Sequence, residues 1–163
     1  MAGELAVLGA FLLACFAAAS TGAVFRPGPW YDRLDKPSWT PPDWLFPVAW
    51  TLLYIAIGVA PWLVWREAGF AGAALPLAVW AVQLLLNAAW SWLFFGLRRM
   101  DLAFAEVVAL WLSIAAMIAL FLPISTLAGL LMVPYLVWVS FAAALNLAVW
   151  QRNKAAVGGR EPA

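Results

Sequence analysis

Aromatic and amide side chains recur at helical spacing in three apolar stretches of the sequence. In the third stretch the series is Gln83, Asn87, Trp90 and Phe94, with steps of four, three and four residues. Such steps place side chains on one face of a helix. A face of this kind offers ring stacking and amide hydrogen bonds, which are the interactions that suit a flat, largely apolar ligand.

Two other stretches carry comparable series. These are Phe46, Trp50 and Tyr54 in the second stretch, and Tyr135, Trp138, Ala142 and then Leu145 or Asn146 in the fifth. At a rise of about 1.5 Å per residue, Trp50, Trp90 and Ala142 lie about 9–12 Å in from the same end. Two interpretations are open from spacing alone. The polar groups join helices to one another, or they anchor a ligand in an aromatic pocket.

Composition excludes several kinds of chemistry. The 163 residues include no histidine and one cysteine, Cys15, so zinc sites, histidine triads and histidine-ligated haem are excluded. The net charge of +1 gives no reason to expect nucleic-acid binding. The sequence shows no paired carboxylates, phosphate-binding glycine loop or activated nucleophile. We therefore predict no metal, no required cofactor and no catalytic residues.

Glu106 is the acid placed well inside an apolar stretch. An acid at membrane depth is a functional candidate by default. It also lies about one helical turn from the end of its stretch. We therefore expect a structural role, in which Glu106 extends toward the membrane surface or meets Arg98, Arg99 or Asn153.

These side chains must be positioned by membrane helices. Hydrophobic residues make up 67% of the chain and charged residues 10%, with a mean hydropathy of +0.93. A span needs about 20 mostly apolar residues. We therefore predict an all-α integral membrane bundle in a single domain, residues 1–152, followed by a flexible tail, residues 153–163. The five transmembrane helices are predicted at about 4–25, 44–65, 75–97, 102–122 and 126–150.

The distribution of basic residues predicts an orientation. Eight of the nine lysines and arginines fall on one side, in the first loop, the 98–101 turn and the tail, and only Arg66 falls on the other. Basic loops stay in the cytoplasm. The first loop and the C-terminus are therefore predicted to be cytoplasmic and the N-terminus to lie outside. The first loop, residues 26–43, is rich in tryptophan and proline, which fits an interfacial belt or a functional loop.

The loop, the second stretch with Trp50, Leu53-Tyr54 and Gly58, and the third and fifth stretches resemble the TspO / translocator protein family. Its members are also called tryptophan-rich sensory proteins or peripheral-type benzodiazepine receptors. The resemblance covers roughly residues 20–152. It rests on Trp30-Tyr31-Asp-Arg-Leu34-Asp-Lys36-Pro37-Ser-Trp39-Thr-Pro41-Pro42-Asp-Trp44, on Gln83-Leu84-x-x-Asn87-x-x-Trp90 with Phe94-Phe95-Gly96, and on Pro134-Tyr135-Leu136-x-Trp138 with Leu145-Asn146.

The resemblance implies a pocket that binds porphyrins or other apolar small molecules beneath the first loop. The positions it carries over are Trp30, Tyr31, Trp50, Tyr54, Asn87, Trp90, Phe94, Trp138, Ala142 and Leu145, to which the helical spacing adds Phe46. It also implies a homodimer, for which Ala74-x-x-x-Ala78 offers a close-packing face on the third span. The function it favours is a tetrapyrrole-binding sensor or regulator. Two alternatives stay open: a light-dependent porphyrin-degrading enzyme, and a transporter of tetrapyrrole or sterol.

Overall fold

The chain folds into helices joined by short connections. In the computed structural model, residues 2–159 are described, and no strand occurs among them. Five helical segments are long and apolar enough to cross a membrane, which confirms the predicted all-α, five-span membrane fold. The elements are α1 (Ala2–Val24), α2 (Pro29–Asp32), α3 (Leu45–Gly72), α4 (Ala74–Ser91) with a π-helical segment (Trp92–Gly96), α5 (Met100–Phe121), α6 (Thr126–Leu131), α7 (Val133–Arg152) and a short 3₁₀ turn (Lys154–Ala156).

The five spans close into a ring. Helix α1 packs between α3 and α4, α4 packs against α5, α5 packs against α7, and α6 returns to α3. Gly58 allows the close approach of α1 to α3, because a Cβ added there would lie 2.6 Å from Leu12 Cδ2. The aromatic and amide stripes of α3, α4 and α7 consequently meet inside the bundle.

The outer surface is strongly apolar. Large hydrophobic side chains are exposed along every span, as the sequence composition requires if lipid replaces water as the solvent. Examples are Leu13, Phe16, Leu52, Leu85, Leu112 and Val137.

Two spans differ from the predicted ones, and a glycine or a proline lies at the interruption in each. Helix α3 continues to Gly72 instead of ending near residue 65, and it is interrupted at Gly69, whose φ is 65°. The fifth span is broken into α6 and α7 at Met132. Pro134 cannot donate a backbone hydrogen bond, so a continuous helix is unfavourable there.

The third span ends in a wider helical turn. Over Trp92–Gly96 the backbone is π-helical, and the Leu97 N–H donates to the carbonyl of Trp92 at 2.8 Å. Such single wide turns often mark functional sites. Here the turn changes the direction in which Phe94 and Phe95 point relative to a regular α-helix.

The start of the predicted flexible tail is packed against the bundle. Asn153 and Ala156 are buried, and the Gly158 N–H donates to the Arg98 carbonyl at 2.9 Å. Residues 153–159, the described part of the predicted tail, thus make defined contacts with the bundle. The remaining predicted tail residues, 160–163, lie outside the described residues.

Candidate ligand-binding site

A chain of buried hydrogen bonds joins three helices, and we call its members the polar chain. The Tyr54 hydroxyl donates to Asn87 Oδ1. Asn87 Nδ2 donates to the Tyr135 hydroxyl at 2.7 Å, and that hydroxyl donates to Gln83 Oε1 at 3.0 Å. Helices α3, α4 and α7 are thus tied together by groups whose alternative is an unsatisfied amide in an apolar interior.

An aromatic group surrounds this chain, and we call it the deep cluster: Phe46, Trp50, Tyr54, Tyr135 and Trp138. The Trp50 ring centroid lies 5.5 Å from that of Tyr54, 6.3 Å from that of Tyr135 and 6.4 Å from that of Trp138. Phe46 meets Trp138 edge to face at 5.9 Å. These separations fall in the range of favourable aromatic pairs. The deep cluster therefore joins α3 to α7 through ring contacts.

A second aromatic group lies where the first loop meets α4, and we call it the lid cluster: Trp30, Tyr31, Phe94 and Phe95. Trp30 is buried and meets Phe94 edge to face at 6.3 Å. Tyr31 contacts Phe94 at 6.1 Å and Phe95 at 5.4 Å. Short helix α2 places the two loop rings on the bundle end, so the first loop folds over the spans.

The Tyr31 phenol stays in its neutral form near physiological pH. Burial raises its pKa above the usual value, and the nearby carboxylates of Asp43 and Asp32 raise that pKa further. The Lys36 ammonium lies 4.6 Å from the centre of the Tyr31 ring, which is a cation–π distance. Tyr31 can therefore donate a hydroxyl hydrogen bond and present an electron-rich face at the loop.

The loop is fastened to the C-terminal segment. Asn153 Oδ1 accepts from the Asp35 backbone N–H at 2.9 Å, and Asn153 Nδ2 donates to the Asp35 carbonyl at 2.8 Å. Arg152 adds an ion pair with the Asp35 carboxylate at 3.2 Å, in which both side chains are largely exposed. Besides the buried side chains of Trp30 and Leu34, the first loop is thus held by one amide, used in both directions, and by one surface ion pair.

Trp90 connects the two clusters. Its ring stacks on Phe94 with centroids 4.9 Å apart, and its Nε1 donates to Asn146 Oδ1 at 3.1 Å. Asn146 in turn donates from Nδ2 to the Met100 carbonyl at 2.9 Å. Trp90 packs against both buried cores of the molecule. It is therefore the residue through which the deep cluster and the lid cluster share contacts.

The remaining predicted site residues occupy different environments. Leu145 is buried with Trp30 and Phe94 beneath the loop. Ala142 is half-buried on α7, one turn after Trp138. Seven of the eleven predicted residues consequently belong to the deep cluster or the lid cluster, and the other four are Asn87, Trp90, Ala142 and Leu145.

Three buried donors near these clusters have no hydrogen-bonding partner among residues 2–159: Trp30 Nε1, Gln83 Nε2 and Trp138 Nε1. A buried unsatisfied donor is costly. The ring of Trp138 and the amide of Gln83 belong to the deep cluster and the polar chain. Both sets therefore retain hydrogen-bonding capacity that a ligand could use.

Sequence reasoning did not assign a site role to Gln83, Tyr135 or Asn153. The first two lie on the predicted stripes, and the available signals were the four-residue step from Gln83 to Asn87 and the phenol of Tyr135 at the start of the stripe on the fifth span. Asn153 fell in the predicted tail. Its partner Asp35 is 118 positions away, so spacing alone gave no indication of the contact.

The expected pairing of Glu106 is wrong. Both carboxyl oxygens are buried and have no hydrogen-bonding partner among the described residues. Of the expected partners, Arg99 instead pairs with Asp101 at 2.7 Å, and Asn153 binds Asp35. The third, Arg98, lies with its guanidinium carbon 5.9 Å from the Trp30 ring centre.

Fold and site together define a class: a five-span α-helical membrane protein in which tryptophans and amides from three spans converge beneath the first loop. Comparison with known proteins makes this more specific. The TspO/MBR family model matches residues 10–151. The chain belongs to the TspO/MBR family.

Relatives in bacteria and animals support this assignment. The chain is 46% identical to protein CrtK of Rhodobacter capsulatus, with 92% of this chain and 94% of the relative covered. It is 45% identical to a tryptophan-rich sensory protein of Cereibacter sphaeroides, covering 88% and 89%. It is 44% identical to the translocator protein of Sus scrofa, covering 82% and 80%. The similarity therefore extends over nearly the whole bundle.

Proposed function

We propose that this protein is a membrane sensor or regulator that binds a tetrapyrrole, with porphyrin as its ligand, in contact with the deep cluster. The names of its relatives, tryptophan-rich sensory protein and translocator protein, support a sensing or translocating role in the membrane. The observation that carries the porphyrin proposal is the convergence of Trp50, Tyr54 and Trp138 around amides with spare donors. Flat apolar ligands are bound by such combinations of ring faces and few polar anchors.

Each group has a proposed role. Trp50 and Trp138 contact the macrocycle in stacked or edge-to-face geometry. Tyr54 and Asn87 fix its orientation through hydrogen bonds. Ala142 leaves space beside Trp138. The lid cluster covers the ligand from the loop side, with Tyr31 as its hydroxyl donor. No histidine is available as an axial ligand, so metal-free porphyrin is the preferred probe.

Titration of protoporphyrin IX into the full chain in detergent tests this proposal. The variant carries Trp50→Ala and Trp138→Ala, and loss of the two rings should weaken binding at least about tenfold, since each stacked ring contributes on the order of 1 kcal/mol. The matched control carries Trp62→Ala and Trp65→Ala, at the other end of α3. Both variants then contain the same number of tryptophans. Equal affinity of both variants would overturn the site assignment.

Illumination of the same complex separates binding from catalysis. If the bound porphyrin bleaches no faster than porphyrin in empty detergent micelles, the regulator proposal stands. Faster bleaching that is lost in the Trp50→Ala, Trp138→Ala variant would favour the light-dependent enzyme instead. Flux of porphyrin into vesicles that contain the protein would favour the transporter.

We also propose a homodimer that forms through α4 and an orientation with the first loop in the cytoplasm. Ala74 and Ala78 are exposed one turn apart on α4, which supports a close helix contact. In a Cys15→Ala background, Ala78→Cys should cross-link between copies in membranes, whereas Ala105→Cys on α5 should not.

The orientation has its own test. In the same background, Ser38→Cys should react with a membrane-impermeant thiol reagent only after the membrane is permeabilised and the reagent reaches the cytoplasmic side.

A further inference from the structure

A small cavity opens at the loop end of the bundle, outside the deep cluster. Its volume is about 70 Å³, and it lies between the start of the first loop and the turn after the third span. A water molecule occupies about 30 Å³ in the liquid, so the cavity suits a small polyatomic group rather than a macrocycle. It is lined by Arg26, Gly28, Pro29, Trp30, Phe95 and Arg98.

Both arginines of this cavity lack an acidic partner among residues 2–159. Arg26 donates from Nε to the Ala23 carbonyl at 2.6 Å, which leaves its terminal amino groups available. Arg98 lies over the Trp30 ring. Arg99 and Arg152, at the same end of the bundle, are instead paired with aspartates. Two arginines without an acidic partner in the described part of the chain therefore line one small cavity.

Trp30 adds a donor to this lining. Its side chain is 5% exposed, and its Nε1 is buried with no partner in the described part of the chain. An indole N–H can only donate, so the group that satisfies it must be an acceptor. An acceptor beside two guanidinium groups is favoured when it carries negative charge.

The backbone of Arg98 is held in an unusual conformation. Its φ is 55°, in the left-handed region that residues other than glycine rarely occupy. The carbonyl of Arg98 accepts from the Gly158 N–H at 2.9 Å, and Gly159 packs so closely that an added Cβ would lie 3.1 Å from Arg98 Cδ. Backbone strain of this kind persists where surrounding structure enforces it, and it is common at binding sites. The C-terminal segment therefore keeps the Arg98 guanidinium beside Trp30.

From these observations we propose that Arg26, Arg98 and Trp30 form a binding site for one oxyanion, a phosphate or a carboxylate. The two guanidinium groups supply charge-assisted hydrogen bonds and the indole N–H supplies a third donor. The site lies at the membrane end that carries most of the basic residues, where the phosphate of a phospholipid is within reach. A carboxylate of a small-molecule ligand has the same chemistry. Trp30 and Phe95 belong to the lid cluster, so a porphyrin carboxylate as the anion rests on the proposed function, whereas a lipid phosphate does not.

Native mass spectrometry of the full chain in detergent tests the site. The probes are dioleoyl phosphatidate and, as the matched neutral lipid, dioleoylglycerol. We expect the wild-type chain to retain phosphatidate preferentially, and Arg26→Gln with Arg98→Gln to reduce that preference at least about tenfold, as the loss of two charge-assisted bonds implies. The control is Arg66→Gln, another arginine over a tryptophan ring, at 4.7 Å from Trp62, on the opposite end of the bundle.

A second pair of probes distinguishes the source of the anion. Protoporphyrin IX and its dimethyl ester differ only in their carboxylates. If the arginine variant loses the preference for the free acid, the site receives a ligand carboxylate; if it loses only the preference for phosphatidate, the site receives a lipid phosphate. Trp30→Phe and the single Arg26→Gln change provide folded alternatives should the double variant be unstable. The absence of any anion preference in the wild-type chain, or its survival in all arginine variants, would overturn the proposal.

Discussion

The deep cluster and the lid cluster are both aromatic, but they are stabilised in different ways. The deep cluster surrounds buried hydrogen bonds that tie α3, α4 and α7 together. The lid cluster is fastened to the C-terminal segment by Asn153 and an exposed ion pair. Buried polar groups are costly to separate, whereas exposed ion pairs contribute little.

This difference assigns different mechanical roles to the two regions. The deep cluster is tied into three spans, so its rings keep their positions when a ligand binds. The first loop buries Trp30 and Leu34 but takes no part in the polar chain, so it opens locally by separating these side chains from the bundle while the spans stay tied together. Substitutions in the polar chain should therefore change the stability of the whole bundle. Substitutions of Asn153 or Arg152, which bind Asp35 of the first loop, should change only the motion of the loop.

The largest effect is expected from Tyr135→Phe. The hydroxyl of Tyr135 accepts from Asn87 and donates to Gln83. Its removal therefore takes one hydrogen-bonding partner from each of these two buried amides. We expect a loss of about 2 kcal/mol in the free energy of unfolding, since each orphaned buried group costs on the order of 1 kcal/mol. Unfolding of the bundle in mixed detergent micelles measures it.

Tyr31→Phe is the control for this change. It removes the same hydroxyl from the lid cluster, in which Tyr31 contacts Phe94, Phe95 and Lys36 through its ring. The global unfolding free energy should stay within about 0.5 kcal/mol of wild type, as for most substitutions away from buried networks. Equal losses in the two variants would contradict the distinction between the clusters.

Periodicity indicated which side chains of α3 and α4 share an inward face. It did not indicate the contact between Asn153 and Asp35 that holds the first loop. The steps of four between Trp50 and Tyr54 and between Gln83 and Asn87 place each pair on one helical face, and a face with an amide must turn away from lipid. The five spans followed from composition by the same physics. Local spacing thus sufficed wherever a single helix decided which way a side chain points.

The fastening depends on contacts that no local pattern encodes. Asn153 and Asp35 meet only because α7 ends beside the first loop, 118 positions away in sequence. The π-helical turn at Trp92–Gly96 and the break at Met132 are backbone adjustments within apolar runs that read as continuous helix. The orphaned carboxyl of Glu106 was missed for a related reason, since its expected partners are occupied by other groups.

Asn153→Ala should release the first loop. Asn153 uses both side-chain atoms to bind the Asp35 backbone, so the substitution removes two hydrogen bonds at once. We expect the free energy of loop opening to fall by about 1.5 kcal/mol, which increases amide exchange in residues 30–43 about tenfold. Hydrogen–deuterium exchange with mass spectrometry measures this. Faster exchange spread over α3 and α4 as well would show that the loop and the spans open together.

Trp90→Phe tests the link between the two regions. The phenyl ring can still stack on Phe94, but the hydrogen bond from Nε1 to Asn146 is lost. We expect a decrease of about 1 kcal/mol in the unfolding free energy, together with a modest increase in loop exchange. Trp92→Phe, at an exposed position in the same turn, is the matched control. An effect confined to one region would mean that Trp90 does not couple them.

The smallest effect is expected from Arg152→Gln. Its ion pair with Asp35 spans 3.2 Å, but the side chains are 48% and 63% exposed, so water and salt screen the attraction. Loop exchange should rise less than about threefold at low ionic strength, because such pairs contribute about 0.5 kcal/mol or less. The difference from wild type should disappear at about 1 M salt, where the screening length is about 3 Å. If Arg152→Gln instead opened the loop as much as Asn153→Ala, charge rather than the buried amide would be the main fastening.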